Sequence, residues 1–434
     1  MDSTAKMLKW LKNIYHYLWA LCSAVFYRFP SKKLKVIGVT GTQGKSTVVE
    51  FIGRILEEGG FRVASISSIR FKIKEKEWEN TLKMTMPGRF GIQRFLRKAL
   101  EAGCDYAVLE VTSEGILQHR HRFVDFDIGV FTNLSPEHIE RHKGFENYRR
   151  AKGKLFQQTR IHIINLDDKN AQYFSQFPAE EKYGYTTGEL KINNKLKTGN
   201  WKFVRAEEIK CLPEGIGFKI NGIPFKIKLL GLFNVYNALA AVCVGLSQGI
   251  SLNICQKALR KVEGIPGRME VVLKKPFTVI VDYAHTPYSL KNVYQNIRNF
   301  KLQTSNVQNP KLICVLGACG GGRDKWKRPV LGKIATQYCD KIVLTNEDPY
   351  DEDPYQILSE IKSGVLGFQF PISNFYEILD RRKAIRKALE LAKPNDIVII
   401  TGKGCEPWMC VAKGKKIPWD DRKIVQEEFD KLNL

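Results

Sequence analysis

No two cysteines of this 434-residue chain are spaced C-x-x-C, and the ten present fall into no regular framework. A disulfide-stapled secreted scaffold is excluded, and a reduced cytosolic protein is expected. No H-E-x-x-H pattern occurs; His138 and His142 stand four apart, but no obvious third ligand accompanies them, which argues against catalytic zinc. Acidic residues are few, 45 against 69 Lys and Arg, for a formal charge of +24. Yet there is no zinc-finger spacing, no aromatic RNA-binding signature and no helix-turn-helix cue, and the basic residues are spread along the chain. No nucleic-acid partner is expected; such a surface also suits nucleotides, sugar nucleotides or an anionic membrane face. Short-period repeats and low-complexity tracts are absent.

The apolar, aromatic stretch "IYHYLWALCSAVFYRF", Ile14 to Phe29, is short for a spanning helix and contains His16 and Arg28. Residues 1–34 are therefore set apart as an N-terminal helical segment. With lysines on both sides, it reads as an interfacial helix placing residues 8–33 on a membrane surface, or as a helix docked on the protein itself or on a dimer partner.

What is present begins at Val36 with "VIGVTGTQGKSTVVEFIGRIL". Lys35 to Thr40 reads as a short buried strand, and Val48, Phe51, Ile52 and Ile55 mark one face of a helix. Between them the glycines of Gly41-Thr-Gln-Gly44-Lys45-Ser46-Thr47 let consecutive N–H groups surround a polyphosphate. Lys45 would neutralise β/γ oxygens and Ser46 would ligate Mg²⁺. The loop is a variant, because Val39 stands where the common pattern has its first glycine.

"RVASISS" reads as a second strand, Pro87 and Gly88 open a helix, and "CDYAVLEVTSEG" is a strand ending in Glu110, Thr112 and Ser113. A carboxylate at the carboxyl end of a buried parallel strand faces the ligand crevice, which makes Glu110 a metal candidate. Strands and helices alternate through about residue 170. From Tyr183 to Lys228 short alternating runs read as antiparallel hairpins. Glycine and proline cluster at "EGIPGRMEVV", and further strand-and-bend units follow. The expectation is an α/β protein: a P-loop-type central domain with a mostly parallel sheet at 35–265, then a Rossmann-like α/β domain at 266–434.

The ordered set "GTQGKST", "EVTSEG", "TNLSPEH", "YRRAKGKLF", "GLFNVYNALAA", "GRME", "DYAHTP", "GGGRDKWKRP" and "GKGCEP" resembles the Mur ligase family. Within it, the likeness is to enzymes adding the third amino acid to UDP-N-acetylmuramoyl-dipeptide, and it runs from about Val36 to the C-terminus. Folylpolyglutamate and cyanophycin synthetases fit the second half less well. The resemblance implies a ligase of peptidoglycan precursor synthesis in the cytoplasm, or peripheral at the inner face of the membrane. ATP phosphorylates a peptide carboxylate, an amine attacks the acyl phosphate, and an amide forms. Its partners would be ATP, an amino acid and a muramoyl peptide, with Mg²⁺ as cofactor and the protein a monomer. Other carboxylate acceptors, lipid-linked or polyglutamate-type, and a non-catalytic nucleotide-binding scaffold are the alternatives.

The same resemblance implies roles. Gly41, Thr42, Gly44, Lys45, Ser46 and Thr47 would hold ATP, with Asn234, Asn237, Arg268, Asp282, His285 and Arg328 on the nucleotide side. Lys45, Glu110, Lys152, Asp282 and Lys325 would be catalytic, and Asp324, Lys325 and Arg328 would swing toward the cleft. Lys152 matches a lysine carbamylated to N6-carboxylysine; as the carbamate it would join Ser46 and Glu110 in binding Mg²⁺, with Glu114 and His138 as further candidates. Thr85, Pro87, Thr112, Ser113, Asp348, Tyr350, Gly404 and Glu406 would meet the other substrates.

Three departures stand out. Glu114 replaces a usual histidine, Gln43 replaces a usual asparagine, and the family's N-terminal uridine-nucleotide domain is replaced by the short apolar segment. In addition Glu347-Asp348-Pro349-Tyr350 aligns with Asp-Asn-Pro-Arg, whose arginine grips the distal carboxylate of meso-diaminopimelate. With a tyrosine there and acidic neighbours, L-lysine or another diamino acid lacking that carboxylate is expected.

Overall fold

The computed structural model describes residues 3–82, 84–137, 139–189, 200–212, 214–304, 310–368 and 370–432. Val36, Ile37 and Val39 of the strand Lys35–Thr40 are fully buried, as a strand covered on both faces must be. It occupies the middle of a nine-stranded sheet. The order runs Lys76–Glu79, Arg70–Ile73, Val63–Ile66, Tyr106–Glu110, Lys35–Thr40, Ile128–Phe131, Ile161–Asn165, Glu181–Thr186, Trp201–Arg205. Pairing is parallel from Val63–Ile66 onward and antiparallel at the opposite edge. The chain steps outward from Lys35–Thr40 in both directions, so the crevice opens at the carboxyl ends of this strand and its two neighbours.

One face is covered by the helices Lys45–Glu58 and Phe233–Ser247, which share a core with Val235, Leu239 and Val242. At about 1.5–3 kcal/mol for each large aliphatic side chain buried, this packing holds the loop before Lys45 in place. The helices Arg89–Glu101 and Phe145–Phe156 cover the other face.

The expected hairpins occupy less chain than the residue pattern suggested. Glu181–Thr186 and Trp201–Arg205 extend the parallel sheet, with Tyr183 and Tyr185 buried; among the described residues of this segment only Glu207–Leu212, Gly215–Ile220 and Ile223–Ile227 form an antiparallel sheet. Alternation of side chains is the same for either pairing sense, and the parallel partner Ile161–Asn165 is remote in sequence.

A six-stranded sheet follows, ordered Glu270–Leu273, Thr278–Asp282, Ile397–Thr401, Leu312–Leu316, Lys341–Leu344, Phe375–Glu377, parallel except for its first pair. At its carboxyl edge Arg381 and Asp421, both without exposed side-chain surface, form a two-point pair at 2.7 and 2.9 Å. Breaking such a pair strands a buried charge, so Arg381→Met is expected to lower unfolding free energy by about 3–5 kcal/mol. Urea unfolding checks this; a loss below 1 kcal/mol would show the pair to be dispensable.

One expectation is revised here. Cys314 and Cys339 are disulfide-bonded across a sequence separation of 25 that carries no spacing signal, and the other eight cysteines are free. The expectation of reduced cysteines throughout fails at that pair. The N-terminal apolar segment is the helix Ser3–Phe26, and among the described residues no helix is long and apolar enough to cross a membrane. It docks on the protein's own surface: Ala20, Ser23 and Ala24 are buried, Tyr17 meets Phe123, and Trp19 meets Phe90.

Candidate active site

The loop between Thr40 and Lys45 is shaped by contacts that only glycine permits. Gly41 has φ +153°, and a Cβ there would lie 1.9 Å from Thr132 Oγ1; Gly44 has φ +79°, and a Cβ would lie 2.3 Å from Asn237 Oδ1. No side chain caps the helix Lys45–Glu58, so its first N–H groups are left for an anion. Asn237 is itself held by Asn234, whose Oδ1 accepts from Asn237 Nδ2 at 2.8 Å while its Nδ2 donates to Leu230 O. Asn234 therefore sets the orientation of Asn237, and Asn237 faces the cleft.

Glu110, almost fully buried, is the hub. Its Oε2 accepts from Ser46 Oγ at 2.7 Å and from the Ser68 amide at 2.9 Å, and its Oε1 lies 3.8 Å from Lys45 Nζ. Lys45 folds back to donate to Thr42 O at 2.8 Å. Hydroxyl and carboxylate oxygens are the donors a hard divalent cation takes. Among the described residues no three His, Cys, Asp or Glu side chains form a metal-holding group. A Mg²⁺ resting on Ser46, Glu110 and phosphate oxygens fits that sparse set, since Mg²⁺ is bound by one or two carboxylates together with substrate phosphates.

Beneath the loop Lys152 is 2% exposed. Its Nζ donates to Gly41 O at 2.6 Å and sits 4.8 Å from the centre of the Tyr148 ring. Burial, then repulsion from Lys45, holds its pKa well below that of an ordinary lysine, against the pull of Glu137 and Glu110. At any given pH more of this amine is neutral than in a solvated lysine, and the neutral amine is the form that adds CO₂.

A cleft of about 670 Å³ runs from this loop to the second sheet. The two sides already touch: Gln43 Nε2 donates to Thr286 Oγ1 at 3.0 Å, the Ile139 amide donates to Asp324 Oδ2 at 3.1 Å, and His285 Nε2 is 3.2 Å from Glu137 Oε1. Thr42, Thr47, Thr85, Thr112 and Glu114 line it from the first half, and Arg268, Asp282, His285, Asp348, Tyr350 and Glu406 from the second. Glu114 is paired with Arg141 at 2.8 Å. Arg268 lies over the Tyr283 ring. Asp282 accepts from the amides of Met269 and Ala284, both at 2.7 Å, which pins the loop carrying His285; burial raises its pKa against the attraction of Arg268.

Several expected residues stand elsewhere. Arg328 is fully buried away from the cleft because its guanidinium is engaged by Glu360 at 2.7 Å, Glu352 at 2.9 Å and Cys319 O. Lys325 points to Glu352 at 3.3 Å on the outer surface. Ser113 is buried against His142, and neither Pro87 nor Gly404 lines the cleft. His138 lies outside the described residues. The sequence reading missed Glu137, Arg120, Arg141, Arg323 and Lys327, all cleft residues. Lys327 Nζ donates to His285 O at 3.1 Å; its place three residues after Asp324 in "GGGRDKWKRP" was the available signal.

The acidic run is also less acidic than its composition. Asp348 and Glu406 share Lys403 Nζ at 2.8–2.9 Å, Glu352 is held by Arg328, Asp351 accepts from the Lys413 amide, and Asp353 caps a helix. Glu347, 2% exposed, keeps Oε2 without a hydrogen-bond partner among the described residues while Oε1 accepts from Cys319 Sγ at 2.8 Å.

Residues 39–245 match the Mur ligase middle domain, and residues 267–404 match the Mur ligase glutamate ligase domain. The chain is 38% identical to the UDP-N-acetylmuramoyl-L-alanyl-D-glutamate--2,6-diaminopimelate ligase of Syntrophomonas wolfei, over 94% of this chain and 81% of that one. It is 34% identical to the UDP-N-acetylmuramyl-tripeptide synthetase of Roseiflexus sp., over 92% and 79%. A solved UDP-N-acetylmuramoyl-L-alanyl-D-glutamate--2,6-diaminopimelate ligase superposes with a TM-score of 0.59 at 30% identity, covering 92% of this chain and 79% of the other. With the phosphate loop, the Ser46–Glu110 pair and the cleft joining the two sheets, the chain belongs to the Mur ligase family and is an ATP-dependent acid–amino acid ligase of peptidoglycan precursor synthesis.

Proposed function

We propose that the chain adds a diamino acid to the free carboxylate of a muramoyl dipeptide. The observation that carries this reading is Glu110 bridging Ser46 and Lys45 while the buried amine of Lys152 holds Gly41 O of the same loop. A carboxylate oxygen of the acceptor attacks the γ-phosphorus, the bond to the β–γ bridging oxygen breaks, and ADP leaves. The amino nitrogen of the incoming amino acid then attacks the acyl carbon, phosphate leaves with the C–O electron pair, and the ammonium proton passes to solvent or a base. Lys45 leaves Thr42 O for the transferring phosphoryl, where fixed positive charge offsets the charge that gathers. Mg²⁺, held by Ser46 and Glu110, would neutralise phosphate oxygens. Lys152 as N6-carboxylysine would add a second metal-facing carboxylate. A division near residue 265 puts the cleft between two domains, whose closure keeps water from the acyl phosphate. ATP supply makes the cytoplasm the compartment, and the protein acts as a monomer. Phosphate release with a panel of muramoyl peptides and amino acids tests this; release only with polyglutamate-type acceptors, or none at all, would overturn it.

The amino acid is proposed to carry a distal ammonium and no distal carboxylate. Tyr350 offers one phenol where a bidentate arginine would stand, and losing a charge-assisted contact in a closed site costs about 1.5–3 kcal/mol. Glu347 has one unpartnered carboxylate oxygen to receive an ammonium. L-Lysine is therefore expected to exceed meso-diaminopimelate in kcat/KM by about tenfold or more. The relatives named for diaminopimelate define the contrary outcome: a preference for that substrate in a competition assay would reject this role for Tyr350.

A further inference from the structure

The N-terminal helix is mounted inside out. The centre of its buried face is made of small and polar residues, with Tyr17 against Phe123 and Trp19 against Phe90 at its edges: Ala20, Ser23 and Ala24 are within 2% of full burial, and His16 contacts Arg89. Asn13 Oδ1 meets His119 Nε2 at 2.7 Å. The opposite face carries the large apolar side chains and leaves them in solvent. Leu8, Trp10 and Phe26 are 61–70% exposed, and Leu11, Tyr15 and Leu18 about half exposed. At about 100° per residue these positions, with Met7, Val25 and, at the edge where it also meets Phe90, the half-exposed Trp19, sweep roughly 180° of the helix circumference. Soluble surfaces rarely leave so large an apolar area without a partner.

Three features select the partner. The arc is wider than the a/d seam that a second helix covers, including one from another copy of this chain. It is rich in Trp and Tyr, the side chains that favour the boundary between headgroups and acyl chains. Finally, no acidic residue occurs between Asp2 and Glu50, whereas Lys6, Lys9, Lys12, Arg28, Lys32, Lys33 and Lys35 do, which complements an anionic surface. We propose that this helix lies in the interface of an anionic bilayer and holds the ligase there as a peripheral protein. This rests on the reading of the chain as a ligase only for its purpose, not for its physics. Its docking platform, the helix Arg89–Glu101, begins just after Thr85 and Met86 of the cleft lining, so the helix is joined through a short stretch of chain to the wall of the cleft.

The test is flotation of the full chain with vesicles of phosphatidylcholine alone and with one quarter phosphatidylglycerol, at low and high salt. Binding is expected at least tenfold stronger to the anionic vesicles and weakened by salt. Leu11→Glu with Leu18→Glu, both away from the docking face, is expected to reduce it at least tenfold while phosphate release with a soluble acceptor stays unchanged. No flotation with anionic vesicles, or flotation untouched by the double variant, overturns the proposal. A dimer in sedimentation equilibrium that the double variant dissociates, without vesicle binding, assigns the face to a second copy instead and also overturns it. Failure of the ligase reading shows separately, as absent phosphate release in protein that still floats.

Discussion

Lys45→Ala and Glu110→Ala are each expected to lower phosphate release by at least about a hundredfold while leaving the melting curve near that of the wild type. Both side chains line the cleft and neither belongs to a hydrophobic cluster. In the proposed mechanism Lys45 brings the charge that moves with the phosphoryl group. Its removal takes away an interaction made more strongly in the transition state than in the ground state, so kcat falls more than KM rises. Glu110 acts differently. Its carboxylate holds Ser46 Oγ and the Ser68 amide, so its loss both removes a metal-facing oxygen and frees the hydroxyl that would accompany it. Glu110→Gln keeps the shape but replaces an anionic oxygen by a donor, and is expected to be nearly as inactive; a titration with Mg²⁺ should show its apparent affinity weakened. Turnover within threefold of wild type in Lys45→Ala or Glu110→Ala would remove this cluster from the reaction.

The parts of this site that were legible in the sequence share a physical reason. The phosphate loop, the strand Lys35–Thr40 and Glu110 at the end of Tyr106–Glu110 are local: strand, turn and helix are adjacent, and a carboxylate at a strand's carboxyl end has one place to point. Lys152 and Asp282 were reached only through resemblance, since a lysine in a helix and an aspartate after a strand have many ordinary uses. Arg328 shows the limit of that route. Its motif neighbours Asp324 and Lys327 do reach the cleft, but its own guanidinium is captured by Glu352 and Glu360 from another helix and its lead-in loop. Likewise the acidic run from Glu347 to Asp353 read as negative potential, but Lys403, 55 residues after Asp348, holds that carboxylate, and Arg328 holds Glu352. Partners supplied by distant elements decide whether a charge is available, and no local pattern announces them.

Lys152→Ala is expected to be inactive and to regain activity when formate, acetate or propionate is added. An alanine leaves a space beneath Gly41 that a small carboxylate can enter, and such an anion supplies the two oxygens that a carbamate would place beside the metal. In the wild type the corresponding step, carbamylation, depends on the lysine's charge state. Carbamylation consumes a neutral amine and CO₂ and yields an anionic carbamate and a proton. Burial, by depressing the amine's pKa, lets this proceed at lower pH than it would in solvent. The sign for stability follows from the same shift. Between the depressed folded pKa and that of the unfolded lysine the unfolded chain holds a proton that the buried amine lacks, so an unmodified Lys152 costs stability there and, in full, at lower pH. That cost shrinks as pH rises toward the unfolded value. Lys152→Met, similar in length and without the charge, is expected to melt no lower than wild type in CO₂-depleted buffer at neutral pH, yet to release no phosphate. Labelling with ¹³CO₂ should give one carbamate carbonyl resonance in the wild type and none in either variant. A wild type lacking that resonance, together with a Lys152→Ala variant that works without added acid, would reduce Lys152 to a packing residue whose only task is the hydrogen bond to Gly41.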